Sequence, residues 1–344
     1  VAADYTGTSL LVEAMGNIQF QGDINITGPD TSALPAGPDT ETLRTSSALI
    51  MRSGQDTLAY GGVNSDSVPA YSTTDVPEGI TIGGDVVLQP SNGVGGIVDL
   101  EAASGDVNTQ LISTNGQQVS NLDNEAQGGA ISIVANGSIK TGDLFSYSFS
   151  PLGNAGNGGD ISLSAANGSI DSGSLISDSR SEKAGNAEDG GDIRLSAAND
   201  ITITGRLLSY SRSVDGNAGN GGGISLSATN GSIDTDSLRT YSFSNSGNAG
   251  NGGNISLNAT NGNISTNVLN SRSRSVSSGN TGNGGDISLE SGDGIQIRGL
   301  LFSDSWSNSG NAGNGGDISL SAANDITIDD HAYAYSLSFD GTAA

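Results

Sequence analysis

The chain has 344 residues, of which 53 are glycine, 34% are hydrophobic, 4% are aromatic and none is cysteine. Unpatterned, so little apolar surface would not offset chain entropy, so order has to come from repetition. A net charge of −25 against two lysines excludes a phosphate-tracking surface and with it nucleic acid, and the missing cysteines exclude disulfide frameworks and thiol chemistry.

No run approaches the roughly 20 apolar residues of a membrane span. The start, "VAADYTGTSL", has neither the basic region nor the apolar core of a signal peptide, and the sequence stops at "DGTAA" inside a repeat. A processed or excised piece of a longer chain is expected.

Residues 1–96 read as irregular turns of a coil. In "TSLLVEAMGNIQFQGDINIT", Leu10, Val12, Ala14, Ile18, Phe20, Ile24 and Ile26 form short alternating runs. Residues 27–46, with Pro29, Pro35 and Pro38, and residues 53–78, with Pro69 and Pro77, read as extruded loops. "ITIGGDVVLQP" resumes the coil.

From 97 to 344 the pattern is regular. Aligned after a double glycine, Ile97, Ile131, Ile161, Ile193, Ile224, Ile255, Ile287 and Ile318 follow one another at 34, 30, 32, 31, 31, 32 and 31 residues. Each unit holds an alternating run (Ile161, Leu163, Ala165), an Asn-Gly turn, a second apolar point (Ile170) and a third stretch from Leu175. The period of two and the Gly, Ser, Asn and Thr content exclude helical repeats. Three short strands in about 31 residues describe one rung of an all-β solenoid, a right-handed parallel β-helix of about ten rungs, roughly 50 Å long at about 4.8 Å per rung.

The third stretch reads LFSYSFS, LISDSRS, LLSYSRS, LRTYSFS, LNSRSRS, LFSDSWS and AYAYSLS, starting at Leu144, Leu175, Leu207, Leu238, Leu269, Leu301 and Ala332. Its Leu/Ser face is constant in type. The other face carries arginines and aspartates that are costly to bury, so the Leu/Ser face is expected inside. Ser146, Ser177, Ser209, Thr240, Ser271 and Ser303 are then a structural column, hydrogen-bonded to neighbours one rung away.

Outside, the candidate binding strip comprises Tyr147, Phe149, Arg180, Tyr210, Arg212, Tyr241, Phe243, Arg272, Arg274, Phe302, Trp306, Tyr333 and Tyr335. Asp178 and Asp304 fall in the same outward column. Two uses compete for the strip: stacking between rungs that holds the surface together, or a contact face for glycans or another rod.

"GNAGNGGD" is expected to need glycine for positive φ, with Asn154, Asn186, Asn217, Asn248, Asn280 and Asn311 forming an amide ladder. Asp160 with Asp192, and Asp286 with Asp317, would stand one rung apart, where two readings compete: calcium between the carboxylates, or plain solvation. No other cofactor is expected. The one histidine, His331, lies beside Asp329 and Asp330 in the last rung, too little for a catalytic triad. The arginines are spread along the rod, with no single cleft of the kind a polysaccharide lyase uses, so no enzyme is expected.

The repeat "GNAGNGGDISLSA.NGSI" and the stretch "ALIMRSGQDTLAYGGV" resemble the filamentous-haemagglutinin-like exoproteins of cyanobacteria, most strongly over 128–338. The resemblance implies a right-handed β-helix, two-partner secretion through an outer-membrane barrel, and a role in adhesion or a surface fibre. The family's amino-terminal secretion domain is not visible in this sequence, and the repeats carry no shared catalytic residues. An extracellular or cell-surface rod that adheres or self-associates into fibres is the expected function. A carbohydrate-binding or carbohydrate-cleaving β-helix is the alternative.

Overall fold

A computed structural model describes residues 4–55, 58, 79–117, 126–183 and 185–343. Nearly all of its regular structure is short strands, and every strand-to-strand pairing is parallel between one turn and the next, as a β-solenoid requires. Two of the sheets contain ten strands, one contains eleven and one contains eight.

The four sheets correct the expectation of three strands per rung. In the rung from Ile161–Ala165 and Ile170–Ser172, the third stretch divides into Leu175–Ile176 and Ser179–Ser181. These strands belong to different sheets. The chain bends between them, at Ser177 and Asp178, while inward and outward positions keep alternating.

The interior therefore has two parts. The first three strands surround a continuous apolar core in which Ile161, Leu163, Ile170 and Leu175 stack on their counterparts above and below. Each such buried side chain stabilises by about 1.5–3 kcal/mol. The fourth strand has no apolar interior. It runs outward from the core and the glycine-rich segment of the repeat runs back beside it, making a thin two-layered fin of serine against glycine.

Among the described residues eight rungs carry the fourth strand, the first of them in the rung that starts at Ile97. One alignment shifts there: Ile97 pairs with Ala130 and Val98 with Ile131. In every repeat the inward position is the second residue after the double glycine, so here Val98 points inward and Ile97, in the place of Ala130, outward.

The segment 27–46 also departs from the simple extruded loop. A short helix, Thr40–Thr45, folds back so that Leu43 packs on Ala48 and Ile50, with Leu11, Leu34 and Ile97 at the edge. Arg52 clamps this flap from the sheet, 2.6 Å from Asp39, 3.4 Å from Asp99 and 3.7 Å from Glu101. Most of the segment 53–78 lies outside the described residues.

Candidate functional site: the outward crease

The serine columns hold the fin together. Ser177 Oγ donates to the carbonyl of Gly159, and Ser209 and Ser303 donate likewise to Gly191 and Gly285. Further out, Ser179 donates to Gly156 at 2.8 Å and Ser181 to Gly153 at 2.8 Å, and the set recurs at Ser273, Ser275, Ser305 and Ser307. These hydroxyls bond across the fin within their own rung, which corrects the expected bonding from rung to rung; Thr240 alone of the column bonds as expected, donating to Gly253 of the next rung at 2.6 Å. Each satisfies a buried hydroxyl that would otherwise cost about 1–3 kcal/mol.

This pairing also explains the glycines, and positive φ is not the reason. Among the described glycines only Gly54 and Gly93 have left-handed φ. A Cβ on Gly159 would overlap the Gly129 carbonyl and Ser146 Oγ, and one on Gly222 would overlap the Gly191 carbonyl and Ser209 Oγ. Glycine is required because the layers approach too closely for any side chain.

The asparagine ladder forms as expected in position, with a specific partner. The N–H of Asn217 donates to Asn186 Oδ1, and that of Asn248 to Asn217 Oδ1, both at 2.9 Å. A parallel ladder takes in the aspartates. The N–H of Asp192 donates to Asp160 Oδ1 at 2.8 Å, and that of Asp317 to Asp286 Oδ1 at 2.9 Å. The second oxygen of Asp192 meets Arg194. Asp160 and Asp192 line a shallow groove of about 620 Å³ along the base of the fin, walled by Gly129, Gly159, Gly191 and Gly222. One oxygen of each aspartate pair is therefore committed to backbone. No group of three or more His, Asp or Glu side chains suited to a metal gathers among the described residues.

The opposite side of the fin is where the candidate strip lies. The bend between the third and fourth strands makes the outward surface re-entrant, so that side chains from three successive outward positions converge in a crease. Three of them correct the sequence reading. Asp178 points outward yet is 0% exposed, and Asp304 is 3% exposed. Tyr210, placed outside as well, is 8% exposed. The Leu/Ser face is inside as expected, but the crease closes over its own floor.

Arginine and aromatic contacts fill that floor. Arg180 donates from Nε to Asp178 Oδ2 at 2.9 Å and lies over the rings of Tyr147 and Tyr210, 5.6 and 5.3 Å from their centroids. Tyr210 stacks on Tyr241 at 4.5 Å and 6°. Arg272 sits 4.0 Å over Phe302, Arg274 sits 4.6 Å over Trp306, and Phe302 stacks on Tyr333 at 5.3 Å. Tyr333 meets Tyr335 edge to face at 6.3 Å. Each contact of this kind is worth about 0.5–1.5 kcal/mol. Phe149 and Phe243 occupy the fin side of the crease, in register with Arg180, Arg212 and Arg274.

Burial sets the electrostatics here. It pushes Asp178 above the usual carboxylate range, with Arg180 pulling the other way, and it pushes Asp304 up against the pull of Arg272. Tyr210 is pushed up by burial and then by Asp178. Asp178 Oδ1, Asp304 Oδ1 and the Nε atoms of Arg239, Arg272 and Arg274 are buried without a hydrogen-bond partner.

Arg239 was not among the strip residues read from sequence. The signal was its place two residues before Tyr241 in LRTYSFS, which the alternation sends outward. His331 bonds Asp330 at 2.6 Å and stacks on Tyr333 at 5.9 Å, at the end of the crease.

No family model, no curated protein and no solved structure matches the chain.

Proposed function

We propose that the chain is a rod of an extracellular or cell-surface adhesive fibre, exported through an outer-membrane barrel partner, and that the outward crease makes its contacts. One observation carries this reading. The crease holds ten of the aromatic residues and five of the ten arginines, in register along the rod. A shaft needing only solubility could fill these positions with Ser, Thr, Asn and Asp, as the outward side of the first strand largely does.

The stacking inside the crease supports both of its uses. It stiffens the floor, and it fixes the upper edges of the rings and guanidinium groups, which lowers the ordering cost of binding. Small gains at each rung would add, so attachment should strengthen with the number of rungs engaged.

Attachment of rod-coated beads to a receptive surface tests this. Tyr241→Ser with Phe243→Ser should reduce attachment strongly while the far-ultraviolet circular dichroism stays that of β-structure. Undiminished attachment by a folded double variant would place the contact face elsewhere.

A further inference from the structure

The three central rungs of the crease present Leu208, Tyr210 and Arg212, then Arg239, Tyr241 and Phe243, then Asn270, Arg272 and Arg274. Four guanidinium groups and no carboxylate face outward on them. Among the described residues, the crease carboxylates stand at the margins, where Glu182 lies 3.4 Å from Arg212, Asp304 lies 3.8 Å from Arg272 and the buried Asp178 is held by Arg180 beside Tyr210. On a chain of net charge −25 this is a cationic island.

Two of the four arginines are uncommitted. Arg239 and Arg274 form no ion pair among the described residues, and their Nε atoms, with that of Arg272, have no acceptor. The guanidinium planes of Arg272 and Arg274 are already fixed by Phe302 and Trp306. Those Nε atoms are buried, so a planar carboxylate would meet each guanidinium end-on, at its terminal Nη1 and Nη2 edge.

We propose that this part of the crease binds an acidic polysaccharide, a chain of uronic acid residues whose carboxylates pair with Arg239 and Arg274 and whose apolar ring faces lie against Tyr241 and Phe243. A pyranose chain advances by about one sugar per rung spacing, roughly 4.8 Å, so successive sugars can lie on successive rungs. Repulsion by the acidic remainder of the rod confines the polyanion to this island and makes binding sensitive to salt. The ligand class rests on the crease being the contact face.

The test is fluorescence anisotropy of labelled oligogalacturonate titrated with the whole chain. The expected result is saturable binding, weakened by added salt, lost when the oligomer is methyl-esterified, and weakened at least tenfold by Arg239→Gln with Arg274→Gln. Arg194→Gln and Arg298→Gln, on other faces, should leave it unchanged. If the glutamine pair fails to fold, Arg239→Lys with Arg274→Lys keeps the charge but loses the fork, and a several-fold weakening is expected.

Absent binding, or binding equal in the arginine variants, overturns the proposal. So does a crease that captures an acidic protein but not the oligosaccharide. Beads that attach through Tyr241 and Phe243 while oligogalacturonate does not bind would leave the adhesive function standing and the ligand class wrong.

Discussion

A side chain's fate in this rod depends on which phase of a two-residue alternation it occupies. Ser211 is 0% exposed inside the fin, and its neighbour Arg212 keeps its side chain 39% exposed. Ser211→Arg should therefore destabilise by several kcal/mol, because a charge enters a space built for a hydroxyl. Arg212→Ser should cost no more than about 1 kcal/mol. Urea unfolding of the two variants checks this, and equal losses would mean that the faces are reversed. Asp178 gives a prediction of the opposite kind. Its folded pKa is raised, so the fold binds its proton more tightly than the unfolded chain does, and its stabilising contribution is lost as pH rises through the folded value. Acidification from about pH 7 toward the ordinary carboxylate range should thus stabilise the parent relative to Asp178→Asn. A difference in Tm that does not vary with pH would contradict this. The alternation was legible in the sequence. The depth of Asp178 was not, because it depends on a bend that leaves the alternation unbroken.

Within the rung, the fin accounts for the most repeated motif in the chain, and two adjacent glycines test it. Gly222 lies where a Cβ would overlap Gly191 and Ser209, whereas a Cβ at Gly223 meets only Asp192 Oδ1 at 3.3 Å and Asn254 O at 3.9 Å. Gly222→Ala should destabilise by about 1–3 kcal/mol. Gly223→Asn should stabilise by about 0.5–1.5 kcal/mol, since its side chain can accept the Asn254 N–H and restore a missing step in the ladder of Asp160, Asp192, Asp286 and Asp317. Thermal melts of both variants decide it, and a shift of the same sign in each would contradict the packing described. The sequence displayed the period, the Asn column and the Leu/Ser face. It did not display that the serines of one stretch bond the glycines of another, because the two lie far apart in each repeat and meet only when the fin closes. Nor did it show that the helix Thr40–Thr45 packs down as a flap, because Pro29, Pro35 and Pro38 ahead of it resemble those of an unattached loop.

Over the whole molecule, parallel pairing carries every outward position forward by one rung at a time, so a residue type repeated in sequence becomes a line along the rod. Most of the rod's surface spends that regularity on asparagine and aspartate ladders. The crease spends it on rings and guanidinium groups. The direct test of the crease as contact face is hydroxyl-radical footprinting of the rod, free and attached to its target surface. The predicted result is protection of Tyr241, Phe243, Phe302 and Trp306 on attachment, with Met15, 59% exposed near one end, and Leu152, 52% exposed at the fin tip, oxidised as before. Protection of Met15 or Leu152, with the crease aromatics unchanged, would contradict it.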